Sequence, residues 1–249
     1  MAGHSHSSNI AARKGAVDKK RAKHFNKLSR QIMSAVRQGG ADVESNLKLK
    51  YAVEKARAAN MPKDNVERVI KRAIGEAGGQ MEEVTYEGYA PGGIALMVAC
   101  LTDNRHRTSP DLKHVFDKCG GNLGTPGSVG FLFQLRSIFV GDAEGKSEDA
   151  WVELALECGV DDVLCEGKLV TLLAPPTEFL PVKKQLEQRA VKLHSAEIGY
   201  MPLNTVQVGD KEVAGKVLRL VSELEALDDV QSVFANYDIP GEWIEELAP

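Results

Sequence analysis

The spacing of apolar residues changes at Gly78-Gly79, and this change constrains the fold more than any other feature of the sequence. Before this point, apolar residues recur every three or four positions, which is the spacing that buries one face of a helix. After it, short strand-like runs alternate with further helical segments. The sequence therefore predicts an α+β fold in which a helical bundle precedes sheet-containing units.

Three amphipathic helices are predicted before Gly78. The first begins near Phe25 and ends at Gly39-Gly40, the second covers 45–59, and the third begins near Pro62, a residue type that suits a first helical turn. Each helix has one apolar face, and we expect the three faces to form the core of the bundle. The residues of these faces are Phe25, Leu28, Ile32, Ala35 and Val36; Leu49, Ala52, Val53 and Ala56; and Val66, Val69, Ile70, Ala73 and Ile74.

The region after Gly79 predicts a β-hairpin, because strand-like runs at 82–89 and 94–103 flank the turn sequence Pro91-Gly92-Gly93. The elements predicted next are a helix over 111–118, a glycine-rich loop over 120–128 and a strand over 129–135.

Residues 137–199 have the element order β-α-β-β-α-β, which is the order of a ferredoxin-like fold. The predicted strands are 137–141, 162–165, 168–173 and 192–199, and the predicted helices are 147–158 and 176–189. A helix over 211–227 and a strand over 230–235 are too few for a separate domain, so we expect them to pair with the sheet of residues 80–134. The predicted domains are a basic tail and helical bundle over 1–79, a discontinuous α+β domain over 80–134 and 205–249, and an inserted ferredoxin-like domain over 135–204.

The charge of the chain is distributed unevenly. Residues 1–79 carry 17 lysines and arginines against 7 acidic residues, a net charge of +10, whereas residues 80–249 carry 14 against 28, a net charge of −14. A basic segment joined to an acidic body indicates a polyanionic partner for the basic part. The longest apolar run, 94–101, is far shorter than the roughly 20 residues of a membrane helix. The sequence therefore excludes a membrane-spanning helix, and we predict no membrane partner.

Lysines and arginines are the side chains that contact phosphate groups, and they need no particular spacing to do so. A helix-turn-helix, a zinc finger or an RNP aromatic motif is not recognisable, so base-specific recognition is not predicted. Arg105 and Arg107 are candidates for a second phosphate contact. The candidate nucleic-acid-binding residues are Arg13, Lys14, Lys19, Lys20, Arg21, Lys23, Lys27, Arg30, Arg37, Lys63, Arg68, Lys71 and Arg72.

The sequence offers one candidate metal site and four cysteines. Removal of Met1 would leave an Ala-Gly-His start, whose amine, amides and His4 imidazole could bind Cu(II) or Ni(II) in a square plane, although an adventitious site is the stronger interpretation. The four cysteines have no zinc-like spacing and indicate a reducing compartment. The sequence therefore predicts neither a functional metal site nor a cofactor.

No catalytic constellation is evident. The glycine-rich loop at 120–128 lacks the Gly-Lys-Ser/Thr of a P-loop and leads from a helix into a strand, so a long turn is the stronger interpretation. The cluster at 103–111 contains Asp103, His106 and Asp111, but a helix cap explains these residues at least as well as catalysis. We therefore predict that the protein is not an enzyme and has no small-molecule substrate.

Several longer motifs make the chain resemble the YebC/PmpR family over its whole length. They are Met1-Ala2-Gly3-His4-Ser5, Asn60-Met61-Pro62-Lys63-Asp64-Asn65, Tyr86-Glu87-Gly88-Tyr89, Leu101-Thr102-Asp103-Asn104, Gly120-Gly121-Asn122-Leu123-Gly124 and Leu227-Asp228-Asp229-Val230-Gln231. The resemblance implies three domains, one of them inserted in another. The sequence differs from the family pattern at His6-Ser7-Ser8 and Ala11-Ala12, which weakens the case for contacts by the tail.

The family resemblance also implies a function in gene expression. Members are described as cytoplasmic DNA-binding transcriptional regulators, and relatives that include a mitochondrial activator of cytochrome c oxidase translation act at the ribosome. The composition of the first residues would also suit a mitochondrial transit peptide, but the resemblance begins at Met1 and favours a cytoplasmic protein.

The function predicted first is a non-enzymatic, DNA-binding regulator of transcription. The alternatives are a ribosome-associated translation factor that binds ribosomal RNA and an adaptor that binds other proteins through its ferredoxin-like domain.

Overall fold

The computed structural model describes residues 21–75, 81–143 and 145–247. Its first part is the predicted bundle of three helices, α1 (Arg21–Gly39), α2 (Leu47–Ala58) and α3 (Lys63–Gly75). Asn46 caps α2, because its side chain accepts a hydrogen bond from the Leu49 amide. The change of pattern at Gly78-Gly79 lies outside the described residues.

The three apolar faces meet in one core, as predicted. Ile32, Leu49 and Ala56 have no exposed surface, and Met61, in the turn before α3, joins them. Ile74 is an exception, because 65% of its surface is exposed. It lies in the last turn of α3.

The predicted hairpin forms the centre of the first sheet. Strands β1 (Glu82–Ala90) and β2 (Ile94–Thr102) pair antiparallel around the Pro91–Gly93 turn, and the short β3 (Asn122–Leu123) borders β1. Helix α4 (Arg105–Lys118) begins six residues earlier than predicted, with Asn104 as its cap. The sequence misled here because Pro110 stands inside the helix, where a proline usually marks a boundary.

The prediction of a strand over 129–135 followed by another over 137–141 was wrong. Residues Gly130–Leu132 form a single 3₁₀ turn, and one continuous strand, β4 (Phe133–Asp142), follows. The Glu87 carboxylate accepts hydrogen bonds from the amides of Gly127, Val129 and Gly130, so these amides are not available to a strand ladder.

Strand β4 also belongs to the second sheet, which has the predicted ferredoxin-like order. The elements are α5 (Glu148–Cys158), β5 (Asp162–Glu166), β6 (Leu169–Ala174), α6 (Phe179–Gln188) and β7 (Leu193–Pro202). The strands lie in the order β5-β6-β4-β7, all antiparallel. Both helices cover one face of this sheet, around the fully buried Phe139, Trp151 and Leu186.

The chain then returns to the first sheet. Its last elements are β8 (Val206–Gln207), α7 (Lys211–Glu225), β9 (Val230–Ala235), β10 (Tyr237–Asp238) and α8 (Gly241–Leu247). Strand β9 pairs with β2, which gives the order β3-β1-β2-β9, and α7 packs beside α4 in one apolar core.

The domain boundaries themselves stay a prediction, and the boundary placed between 134 and 135 falls inside β4. None of the described helices is both long enough and apolar enough to cross a membrane.

Candidate nucleic-acid interface

The predicted phosphate-binding residues fall into two groups in the structure. Arg13, Lys14, Lys19, Lys20 and the side chain of Arg21 lie outside the described part. One group of the remaining residues lies on α1 and consists of Lys23, Lys27, Arg30 and Arg37. The other group lies on α3 and consists of Lys63, Arg68, Lys71 and Arg72.

Two lysines of α1 contact the C-terminal end of α7. Lys27 Nζ donates a hydrogen bond to the carbonyl oxygen of Glu225 at 2.7 Å, and Lys23 Nζ donates to that of Ala226. The last carbonyl groups of a helix have no partner within the helix and carry partial negative charge, so lysine is a suitable cap. Burial lowers the pKa of Lys27 to about 8, although the nearby Glu225 carboxylate acts in the opposite direction.

Arg30 makes the next contact along α1. Its Nη2 atom donates to Asp229 Oδ1 at 2.8 Å and to the carbonyl oxygen of Leu101 at 2.8 Å. Arg30 therefore joins the helical bundle to the ends of two strands of the first sheet.

Asp229 is the centre of this contact. Only 9% of its side chain is exposed, and its carboxylate also accepts hydrogen bonds from Thr108 Oγ1 at 2.7 Å and from Arg107 Nη2 at 3.0 Å. Burial alone would raise the pKa of Asp229, but the hydrogen bonds from Thr108, Arg107 and Arg30 outweigh burial and hold the pKa below its usual value. The ionised carboxylate is thus fully satisfied inside the protein.

These contacts engage three of the candidate nucleic-acid-binding residues. We expected Lys23, Lys27 and Arg30 to contact phosphate groups, but the structure directs all three towards the acidic part of the same chain. The sequence did not identify Asp229 as the partner of Arg30, or the end of α7 as the partner of Lys23 and Lys27, because nothing local to these segments indicates the pairings.

The two candidates for a second phosphate contact are also engaged. Arg107 binds both Asp103, at 2.9 Å, and Asp229, while Arg105 forms an ion pair with Glu82.

Arg37 lies at a cleft of about 690 Å³ between α1 and the 226–229 segment, and acidic side chains line this cleft as densely as basic ones. A cleft of balanced charge is a poor polyanion site.

The α3 group faces outward. Lys63, Arg68, Lys71 and Arg72 are all exposed, while Val66 and Ala73 on the opposite face of the helix are buried. Lys63 lies 3.7 Å from Glu67, and Arg68 donates to Asn65 at 3.3 Å, a weak contact. Lys71 has no polar partner among the described residues. We call these four side chains the α3 basic face.

The glycine-rich loop is held from within the protein. The Glu87 carboxylate accepts amide hydrogen bonds from Gly127, Val129 and Gly130, each at 2.7 Å. Burial would raise the pKa of Glu87, and these three bonds lower it below its usual value. Because a carboxylate already occupies these amides, the structure supports the turn interpretation over a phosphate cradle.

The described residues contain no group of three or more His, Cys, Asp and Glu side chains placed to hold a metal ion. His4, which the copper hypothesis required, lies outside them. Cys100, Cys119 and Cys158 are buried thiols, and Cys165 is exposed.

Fold and surface together define an α+β protein in which a basic helical bundle is joined to an acidic body built on two four-stranded sheets. Residues 5–76 match a family model described as the TACO1/YebC protein N-terminal domain, and residues 81–237 match one described as the TACO1/YebC second and third domain. The chain belongs to the TACO1/YebC family.

Its relatives cover the full length of the chain. A protein of Halothermothrix orenii named probable transcriptional regulatory protein is 46% identical and aligns over 99% of both chains. A protein of Aquifex aeolicus with the same name is also 46% identical over 99% of this chain and 100% of its own. The crystal structure of a conserved hypothetical protein from Aquifex aeolicus superposes with a TM-score of 0.78 at 47% identity and covers 90% of this chain and 93% of that one.

Proposed function

We propose that this protein is a non-enzymatic, cytoplasmic regulator of gene expression that binds nucleic acid through the α3 basic face and the basic residues at 13–20. The observation that carries the proposal is the exposure of Lys63, Arg68, Lys71 and Arg72 on a helix whose other face is buried. Phosphate groups bind Lys and Arg side chains in such positions without a further pocket.

Charge distribution supports the same surface. The net charge of +10 over residues 1–79 contrasts with −14 over the rest of the chain. Since Lys23, Lys27 and Arg30 bind the acidic part, the α3 basic face retains the positive charge that is most accessible in the described bundle. The acidic body disfavours binding of nucleic acid elsewhere and so orients it towards the bundle.

The names of the relatives favour DNA as the nucleic acid. Contacts to phosphate alone do not distinguish DNA from RNA, because that distinction depends on grooves, 2′-hydroxyls and bases. Ribosomal RNA, with a role in translation, is the second candidate. The matching family models are named for TACO1 as well as YebC, and the resemblance described above includes relatives that act in translation.

The test is a charge reversal on α3 with a matched control. We expect Arg68→Glu with Lys71→Glu to weaken binding of both a DNA duplex and a ribosomal RNA fragment in fluorescence anisotropy. The slope of log affinity against log salt should fall by about one for each phosphate group that the variant no longer binds. The control is Lys168→Glu with Lys184→Glu, two exposed lysines of the second-sheet region, which changes the net charge equally.

Equal weakening by both pairs would mean that only overall charge matters, and unchanged binding by the α3 pair would refute the proposed surface. A third variant, Lys19→Glu with Lys20→Glu, measures how much the basic residues at 13–20 contribute to nucleic-acid binding. Tighter binding of the DNA duplex supports the transcription role, and tighter binding of the ribosomal RNA fragment supports the alternative.

A further inference from the structure

Helix α5 exposes two apolar side chains on its outer face. Val152 and Leu156 are four residues apart and therefore adjacent on the helix, with 42% and 73% of their surfaces exposed. The helix does not need them for its own packing, because Trp151, Ala155 and Cys158 fill the core side. Surfaces that bind another protein present contiguous exposed apolar side chains rather than single ones, and Val152 and Leu156 are contiguous.

Acidic side chains surround this apolar pair. Helix α5 contains Glu148, Asp149, Glu153 and Glu157, all exposed, and no lysine or arginine. Glu148 and Asp149 suit the positive end of the helix dipole, but Glu153 and Glu157 are too far along the helix to gain from it. Glu157 pairs with Arg189 at 3.2 Å, whereas Glu148, Asp149 and Glu153 have no ion pair among the described residues.

The outer face of α5 is also separate from the contacts that hold the rest of the chain. The helical bundle reaches this region through Tyr51, whose ring meets that of Phe179 at 4.9 Å and whose hydroxyl accepts from the Ile198 amide at 2.9 Å. The first sheet reaches it through Phe234, 5.6 Å from the ring of Tyr200. These contacts use α6 and β7, so they leave the outer face of α5 accessible.

We propose that the outer face of α5 is a docking surface for a basic, amphipathic segment of another protein. Leucine or isoleucine side chains of that segment would cover Val152 and Leu156, and its lysines and arginines would pair with Glu148, Asp149 and Glu153. The charge of the surface determines this choice, because it repels nucleic acid and attracts a cationic partner. The proposal does not depend on the function proposed above, since the two surfaces lie on different parts of the chain.

The physical consequences are a weak and salt-dependent complex. Helix α5 is 11 residues long, which corresponds to about 16 Å, so the area it can bury is at the small end for protein interfaces. Attraction between exposed charges weakens as salt shortens the screening length. Apolar anchors, in contrast, are insensitive to salt, so the two contributions can be measured separately.

The test uses the full chain and a fluorescein-labelled helical peptide of leucine and lysine in amphipathic order. Replacing the apolar pair by Val152→Ser with Leu156→Ser is expected to weaken binding about tenfold. The control, Phe131→Ser with Leu203→Ser, removes two comparably exposed apolar side chains elsewhere and should leave binding unchanged. Both variants replace exposed residues, and equal melting temperatures would show that folding is intact.

A second pair of variants tests the acidic rim. Asp149→Asn with Glu153→Gln should weaken binding and flatten its salt dependence, whereas Glu242→Gln with Glu245→Gln, on exposed positions of α8, should do neither. Amide NMR shifts on peptide addition should centre on α5. The proposal is overturned if a scrambled peptide of equal composition binds as tightly, if the control variants lose as much affinity, or if the shifts lie outside α5. Retained nucleic-acid binding by the serine variant would show that the two surfaces act independently.

Discussion

Arg30 Nη2 lies 2.8 Å from Asp229 Oδ1, although 199 positions separate the two residues in the chain. The same guanidinium atom donates to the carbonyl of Leu101 at the end of β2. Asp229 immediately precedes β9, the neighbour of β2, so one ion pair connects the helical bundle to two adjacent strands. Because both side chains are largely buried, the pair holds α1 against the first sheet with a defined geometry.

Replacing Asp229 by asparagine is expected to lower the free energy of unfolding by about 2–4 kcal/mol. The substitution leaves Arg30 and Arg107 without their shared carboxylate, and removal of one partner from a buried ion pair is strongly destabilising. Urea denaturation followed by circular dichroism measures the effect. Asp228→Asn is the control, since 80% of that side chain is exposed; equal losses in the two variants would contradict the role given to Asp229.

The contribution of Asp229 should depend on pH. Its pKa is below the usual value in the folded protein, so the folded state holds the ionised form more strongly than the unfolded chain does. The stabilisation is therefore complete above the unfolded pKa of about 3.9 and is lost as pH falls through the lower, folded value. The difference in unfolding free energy between the parent protein and Asp229→Asn should be constant from neutral pH to about pH 5 and shrink in more acidic solution.

Lys27 should make stability depend on pH in alkaline solution, again with the protein becoming more stable as pH rises. Its pKa of about 8 in the folded protein is below the value of about 10.4 for an unfolded lysine. Between these values the unfolded chain binds more protons, so the free energy of unfolding gains from this residue as pH rises. Lys27→Met should remove that gain, whereas Lys184→Met, at an exposed position, should retain it. Identical pH profiles for the two variants would refute the burial argument.

Glu87 is expected to control the order of the glycine-rich loop. Glu87→Ala removes the acceptor for three amides, so hydrogen exchange at Gly127, Val129 and Gly130 should become faster. Glu83→Ala on the same strand serves as the control, because Glu83 is exposed and pairs with Lys48. Unchanged exchange in Glu87→Ala would show that other contacts hold the loop.

Elements with a strong local pattern were predicted well. The stripe Leu49, Ala52, Val53 and Ala56 is buried on α2, and the turn at Pro91–Gly93 joins two paired strands, because helix and hairpin preferences depend on neighbours a few positions apart. The start of α4 was misplaced for a local reason, Pro110, but the strand predicted over 129–135 failed because a distant residue intervened. Glu87 binds the amides near Gly130, about 40 positions away, and converts a predicted strand start into a turn.

The candidate site was also predicted only in part from the sequence. The sequence predicted a basic bundle and an acidic body, and it identified the exposed cations of α3 together with the partly buried cations of α1 without distinguishing them. Only the structure separates Lys71, which is exposed, from Arg30, which is bound to Asp229.

By itself the sequence determined the α+β class, the ferredoxin-like order of the second sheet and the asymmetry of charge, because these depend on composition and short-range periodicity. The tertiary structure decided which positive charges remain available to a partner. That outcome depends on ion pairs between segments far apart in the chain, and such pairs have no local signal because their geometry exists only after the chain has folded.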